Sequence, residues 1–157
     1  MSTRVDMTRH VGSGMARALL TMGWEAEKAG IEKSLHELVK IRASQLNGCA
    51  YCIDMHTKDA RARGESEQRI YALSAWRETP FFTSRERAAL EWTEALTRLG
   101  NLDGVPDDLY ARVRQEFDED GIVALSFAVN AINSWNRLAV AFRAPVGTYQ
   151  PGAHAAA

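Results

Sequence analysis

The chain has 157 residues, 46% of them hydrophobic, and its 19 basic and 20 acidic side chains leave a formal net charge of -1. One domain of this size and composition can close a core without metal or disulfide staples, which excludes disorder over most of the length. Charges of both signs are interspersed, which excludes a generic nucleic-acid or anionic-membrane binder, since either needs a basic face.

In chain order, Arg4, Asp6, Arg9 and His10 precede two glycines without the apolar stretch of a secretory signal, so a cytoplasmic location is expected. Val11, Met15, Leu19 and Met22 recur at helical intervals and predict a first helix between Thr8 and Glu27. Leu35, Leu38, Val39, Ala43 and Leu46 predict a second, stopped by Asn47-Gly48. Cys49 and Cys52 open a third, which runs to Gly64, a residue suited to a left-handed helix end. A fourth is expected from about Ser66 to Trp76, closed by Thr79-Pro80, and Thr83 with Glu86 has the capping-box spacing that starts a fifth.

The fifth helix carries the stripe Ala88, Trp92, Ala95, Leu96 and Leu99 and ends at the loop 100–104. Pro106 suits the first turn of a sixth helix bearing Leu109, Tyr110, Val113 and Phe117, and Asp118 can cap a seventh that reaches about Arg143. That last stretch is the most apolar of the chain, but Ser126, Asn130, Asn133, Asn136 and Arg137 interrupt it, so it reads as a core helix rather than a membrane span. No segment alternates with period two for long. The expectation is an all-α domain of about seven helices over residues 1–144, with a mobile tail over 145–157.

Only two cysteines occur, three residues apart, too close to staple distant parts of a fold. On a helix Cys49, Cys52, Ile53 and His56 share one face, and the free N–H groups of the helix start favour a thiolate there. His56 is placed to accept or relay a proton. Two plainer readings stand beside this one: thiols filling a core, and a metal site made of Cys49, Cys52 and His56 with Glu37 as fourth ligand, against which no second Cys/His pair is present. Glu37 itself lies on the polar side of the second helix with Lys33, His36, Lys40 and Ser44, and there solvation is the default. His10, His36 and His154 are expected on solvated surface.

The stretch from Glu37 to His56, with Asn47-Gly48-Cys49-Ala-Tyr-Cys52 at its centre, resembles the core motif of the AhpD-like alkylhydroperoxidases in the carboxymuconolactone decarboxylase superfamily. A glutamate twelve residues before the first cysteine and a histidine four after the second carry the likeness. It continues through Gly64-Glu65, residues 73–77 and 84–90, and Asn133-Ser-Trp-Asn136-Arg137, over roughly residues 15–143.

The resemblance implies a helical subunit assembled as a trimer or hexamer, reducing organic hydroperoxides with its dithiol and needing no metal or organic cofactor. An external dithiol, of dihydrolipoyl type or on a donor protein, would reset the disulfide. Carried over by position, Glu37, Cys49, Cys52 and His56 become the proton-relay and redox residues, with Cys52 attacking peroxide and Cys49 resolving. The helix-dipole argument alone would reverse these two roles. Tyr51 stands where the best-studied members have a second histidine, and tyrosine is a poor proton acceptor at neutral pH; it is a candidate accessory residue or an aromatic packing against Met55. Asn136 and Arg137 are expected to serve packing or a subunit contact, and the four tryptophans suggest an oligomer surface. The rival functions are a non-enzymatic redox-sensing or scaffold oligomer and a decarboxylase of the muconolactone type, whose chemistry needs no cysteine pair.

Overall fold

The computed structural model describes residues 2–101 and 104–152. Among them the regular elements are helices: α1 (Gly14–Lys28), α2 (Lys33–Leu46), α3 (Ala50–Ala62), α4 (Glu67–Ala72), α5 (Ser84–Thr97), α6 (Asp107–Glu116) and α7 (Glu119–Phe142). The expected all-α class and number of helices therefore hold. No described helix is long and apolar enough to cross a membrane.

Three boundaries differ from expectation, each for a local reason. The first helix starts at Gly14, where the Ser13 hydroxyl caps the Ala16 N–H; Met7–His10 form a separate 3-10 turn capped by Asp6. The fourth is split, α4 giving way to a 3-10 turn (Leu73–Glu78) kinked at non-helical Ala75. Pro106 is extended and precedes α6 instead of lying in its first turn. The two side-chain caps read from sequence are present: Thr83 and Glu86 close a full capping box, and Asp118 accepts from the Gly121 N–H. Each such cap is worth about 1 kcal/mol.

Helix α2 is the hub. Leu35 and Val39 face a cluster made with Trp92 of α5, Val113 of α6, and Leu125 and Val129 of α7. Leu38 and Ile41 face a second cluster with Ala60, Ile70, Leu73, Trp76 and Leu90. Leu38 and Ile41 are fully buried, so truncating either to alanine costs about 2–5 kcal/mol. The third cluster is small and contains both cysteines: Ala43, Cys49, Cys52 and Ile132, with Tyr51 and Ala139 against it.

The tryptophans divide. Trp76 and Trp92 are core residues, whereas Trp24 is 46% exposed, and Trp135 is half-buried. Residues 145–152, expected within a mobile tail, lie along α3 with Tyr149 buried; the rest of that tail, with His154, falls outside the described residues.

Candidate redox site

The turn between α2 and α3 sets the cysteines. Asn47 ends α2, Gly48 follows at φ +64°, and the Cys49 N–H returns to the Ser44 carbonyl at 3.0 Å. A left-handed residue is needed there to reverse the chain in one step, and glycine takes it without a Cβ clash. Cys49 then becomes the N-cap of α3, its sulfur accepting the Cys52 N–H at 3.4 Å. The two sulfurs lie 2.7 Å apart and both residues are 1% exposed.

One hydrogen serves both sulfurs. Cys49 is the acceptor, because the N-cap also gives it backbone N–H groups that Cys52, inside the helix, lacks. The bond from Cys52 is the main reason that Cys49 falls to about 7 despite burial, with the Cys52 N–H, the Asn136 amide and the Tyr51 N–H adding to it. Cys52 is pushed up correspondingly, by that same bond, by burial and by the charge on Cys49. Of the two, Cys49 is thus the more readily ionised, the direction in which the helix-dipole argument points.

One turn beyond Cys52, His56 is buried and its Nδ1–H donates to Glu37 Oε2 at 3.0 Å. The other Glu37 oxygen accepts from Arg63 Nη1 at 2.9 Å and Lys40 Nζ at 3.2 Å. Burial would raise the Glu37 pKa, but the His56 bond and the charges of Lys40, His56 and Arg63 outweigh it and hold the carboxyl at about 2. Since Glu37 stays ionised, the imidazole carries its proton on Nδ1 and leaves Nε2 free to take another. Glu37 is 1% exposed, so solvation, the default for its helix face, is overruled by this pairing.

His36 also departs from expectation. It is 1% exposed, its Nε2–H donates to the Ala26 carbonyl at 3.1 Å, and its Nδ1 is buried without a partner. Burial first, and Lys40 second, lower its pKa, so it is a neutral link between α1 and α2. His10 is on the surface as expected.

Tyr51 packs on the cysteine cluster, with its pKa raised by burial and by Cys52, Asp54 and Cys49, so it supplies no base. The residues of the alternative metal reading are not gathered: among the described residues the group within ligating reach is Glu37, His56 and Asp59, without the sulfurs. Those oxygens already accept from Lys40, Arg63, His56 and Tyr149.

Sequence reasoning missed three kinds of residue. Lys40 and Arg63 neutralise Glu37, and Arg63 falls on the helix face of Cys49, Cys52 and His56, a signal that spacing does give. Asn136, expected in packing, does more: fully buried, it donates to Ser44 Oγ at 3.0 Å, accepts from Asn47 at 2.8 Å and reaches both cysteines. Asn133 ties Asn47 to Thr97, while Arg137 is exposed and bonds the Asn133 carbonyl.

The model of the carboxymuconolactone decarboxylase family matches residues 14–95, which takes in α1, α2, the dithiol turn, α3 and most of α5. The chain belongs to this family. Similar to it is the uncharacterized protein YdfG of Bacillus subtilis, 48% identical over 141 residues, which are 90% of this chain and 95% of that protein. The crystal structure of ATU0492 from Agrobacterium tumefaciens, a protein of unknown function proposed to be the antioxidant defence protein AhpD, superposes with a TM-score of 0.87 at 38% identity. It covers 94% of this chain and all of that one. The debrominase Bmp8 shares the fold alone, with a TM-score of 0.79 at 15% identity over 90% of this chain and 75% of its own. Within the family the chain is of the AhpD-like kind, and the fold it shares with a debrominase leaves its reaction to be argued from its own residues.

Proposed function

We propose that the protein is a thiol-dependent peroxidase that reduces organic hydroperoxides with its Cys49/Cys52 dithiol and is reset by an external dithiol. The observation that carries this reading is the sulfur pair, 2.7 Å apart, with Cys49 held ionised near neutral pH and a Glu37–His56 pair one turn away. The Cys49 thiolate attacks the peroxide: an S–O bond forms, the O–O bond breaks, and the alkoxide leaves as alcohol with the proton of Cys52. The Cys52 thiolate then attacks the sulfenic sulfur. The S–S bond forms, and hydroxide leaves as water with a proton that His56 relays from solvent, to which Cys49 had released its own. Exchange with a dithiol of dihydrolipoyl type returns both electrons and both protons. This exchanges the expected roles of the two cysteines and keeps Glu37 as the group that orients His56.

No metal or organic cofactor takes part in this cycle. The exposed apolar residues Trp24, Val123 and Phe127, with Met15 at 84%, support self-association, which we take to give a cytoplasmic homotrimer or homohexamer. Sedimentation velocity tests that assembly; a monomer at micromolar concentration would reject it.

The deciding experiment titrates thiols before and after one equivalent of cumene hydroperoxide, then adds dihydrolipoamide. Loss and recovery of two thiols per chain, with stoichiometric alcohol, is the expected result. One oxidation without cycling would favour a redox-sensing oligomer instead, and inert thiols would reject both.

A further inference from the structure

Beyond α7 the chain doubles back along α3 and delivers one buried side chain to the edge of the redox site. Tyr149 is 8% exposed, and its hydroxyl donates to Asp59, 2.8 Å from Oδ1 and 3.0 Å from Oδ2. Two further bonds fasten the segment: Lys58 Nζ donates to the Tyr149 carbonyl at 3.1 Å, and the Gly147 N–H donates to Asp54 Oδ2 at 3.2 Å. Lys58 itself pairs with Asp54 at 2.9 Å, so the anchor is cross-braced.

What Tyr149 holds is a second carboxylate beside the first. One oxygen of Asp59, one of Glu37 and a ring nitrogen of His56 lie within 4.8 Å of one another. The imidazole meets Glu37 from α2 and lies near Asp59 on its own helix, while Lys40 and Arg63 stand on the other oxygen of Glu37 and Cys52 lies one turn before. Lys40 and Arg63 both bond Glu37, so neither salt bridge draws off the charge of Asp59. The group that does is the Tyr149 hydroxyl, whose own pKa is raised by burial and by Asp59, so it remains a donor throughout the physiological range. An Asp59 carboxylate without that donor would turn its charge on His56 and favour the imidazolium, which cannot take a thiol proton.

We propose that Tyr149 is a positioning residue of the redox site, acting through Asp59 to keep that carboxylate off the Glu37–His56 pair. This rests on the reading of His56 as the proton acceptor of the dithiol. It assigns the segment that follows the helical domain a part in setting the working pH of the site.

The test is Tyr149→Phe, which keeps the ring and removes the hydroxyl. In the full chain labelled with 13C-histidine, the NMR titration midpoint of His56 should rise by about half a pH unit or more. The acidic limb of cumene hydroperoxide reduction should move the same way. Asp59→Asn alone should lower the midpoint, and in that background Tyr149→Phe should shift nothing. An unmoved His56 midpoint in folded Tyr149→Phe overturns the proposal, as does an equal shift with Asp59 already neutral. Because the titration needs no turnover, a wild type inert toward peroxide would defeat the proposed function while this test still reads Tyr149.

Discussion

Glu37 on α2 and His56 on α3 meet at 3.0 Å inside the protein, and this contact joins the two helices on either side of the dithiol turn. Its charge is balanced locally by Lys40 and Arg63. A buried ion group of this sort costs desolvation, and it is stable because each carboxylate oxygen has a partner.

Glu37 makes stability fall in strong acid. Its folded pKa of about 2 lies below the ordinary carboxyl value of 4.5, so the unfolded chain binds the extra proton between the two. The contribution is present in full above pH 4.5 and is lost as pH falls toward 2; the shift corresponds to on the order of 3 kcal/mol. Urea midpoints of the wild type should therefore decline steeply over that window, and those of Glu37→Gln should be lower at neutral pH and flatter below 4.5. Parallel curves for the two proteins would contradict the pairing.

Cys49 is the thiol of the pair whose pKa is lowered. Its rate of alkylation by iodoacetamide should titrate with a midpoint of about 7, set first by the bond from Cys52. Cys52→Ala removes that donor, and the midpoint should climb toward the ordinary thiol value. Dimedone should trap a sulfenic acid on Cys49 in this variant after peroxide. In Cys49→Ser, Cys52 should stay unreactive near neutral pH, because its proton is then held by burial alone; ready oxidation of Cys52 there would restore it as the attacking sulfur.

Those groups were unequally legible in the sequence. Cys49, Cys52 and His56 lie on one helix, where a fixed 100° step puts them on a common face, so their association followed from spacing. Caps such as Thr83/Glu86 and Asp118 are local for the same reason. Glu37 could be placed at the site only through resemblance, since the partners that reverse its burial cost come from another helix. The burial of His36, and of Tyr149 within the expected tail, is not legible locally because it depends on which elements come to lie over them, α1 in one case and the returning C-terminal segment in the other. The 3-10 break at Ala75 carried no glycine or proline signal and reflects the packing of Leu73 and Trp76 into the core.

His36 gives a second acid-sensitive window, higher than that of Glu37. Its folded pKa is lowered from 6.5, so the unfolded chain binds more protons just below that value, and stability contributed by the neutral ring is lost as pH drops through this range. His36→Gln keeps a donor for the Ala26 carbonyl but does not titrate. Melting temperatures of the wild type should fall as pH drops below 6.5, and those of the variant should stay level there. A variant that tracked the wild type would place the transition elsewhere.

Asn136 should couple the seventh helix to the sulfur chemistry. Its amide donates to Ser44 and supports both cysteines, while its carbonyl oxygen accepts from Asn47, and the side chain itself is fully buried. Asn136→Ala leaves Asn47 short of a partner and should cost about 1–3 kcal/mol by urea unfolding. It also removes a donor from the thiolate, so the midpoint of Cys49 alkylation should rise. Asn136→Asp separates the two effects, because an aspartate can still accept from Asn47 yet sets a negative charge beside the sulfur. It should raise the Cys49 midpoint more than alanine does, and slow peroxide oxidation at pH 7 accordingly. If both variants changed stability but left the midpoint in place, Asn136 would be a packing residue only, and the thiolate would owe its stability to the helix end and to Cys52.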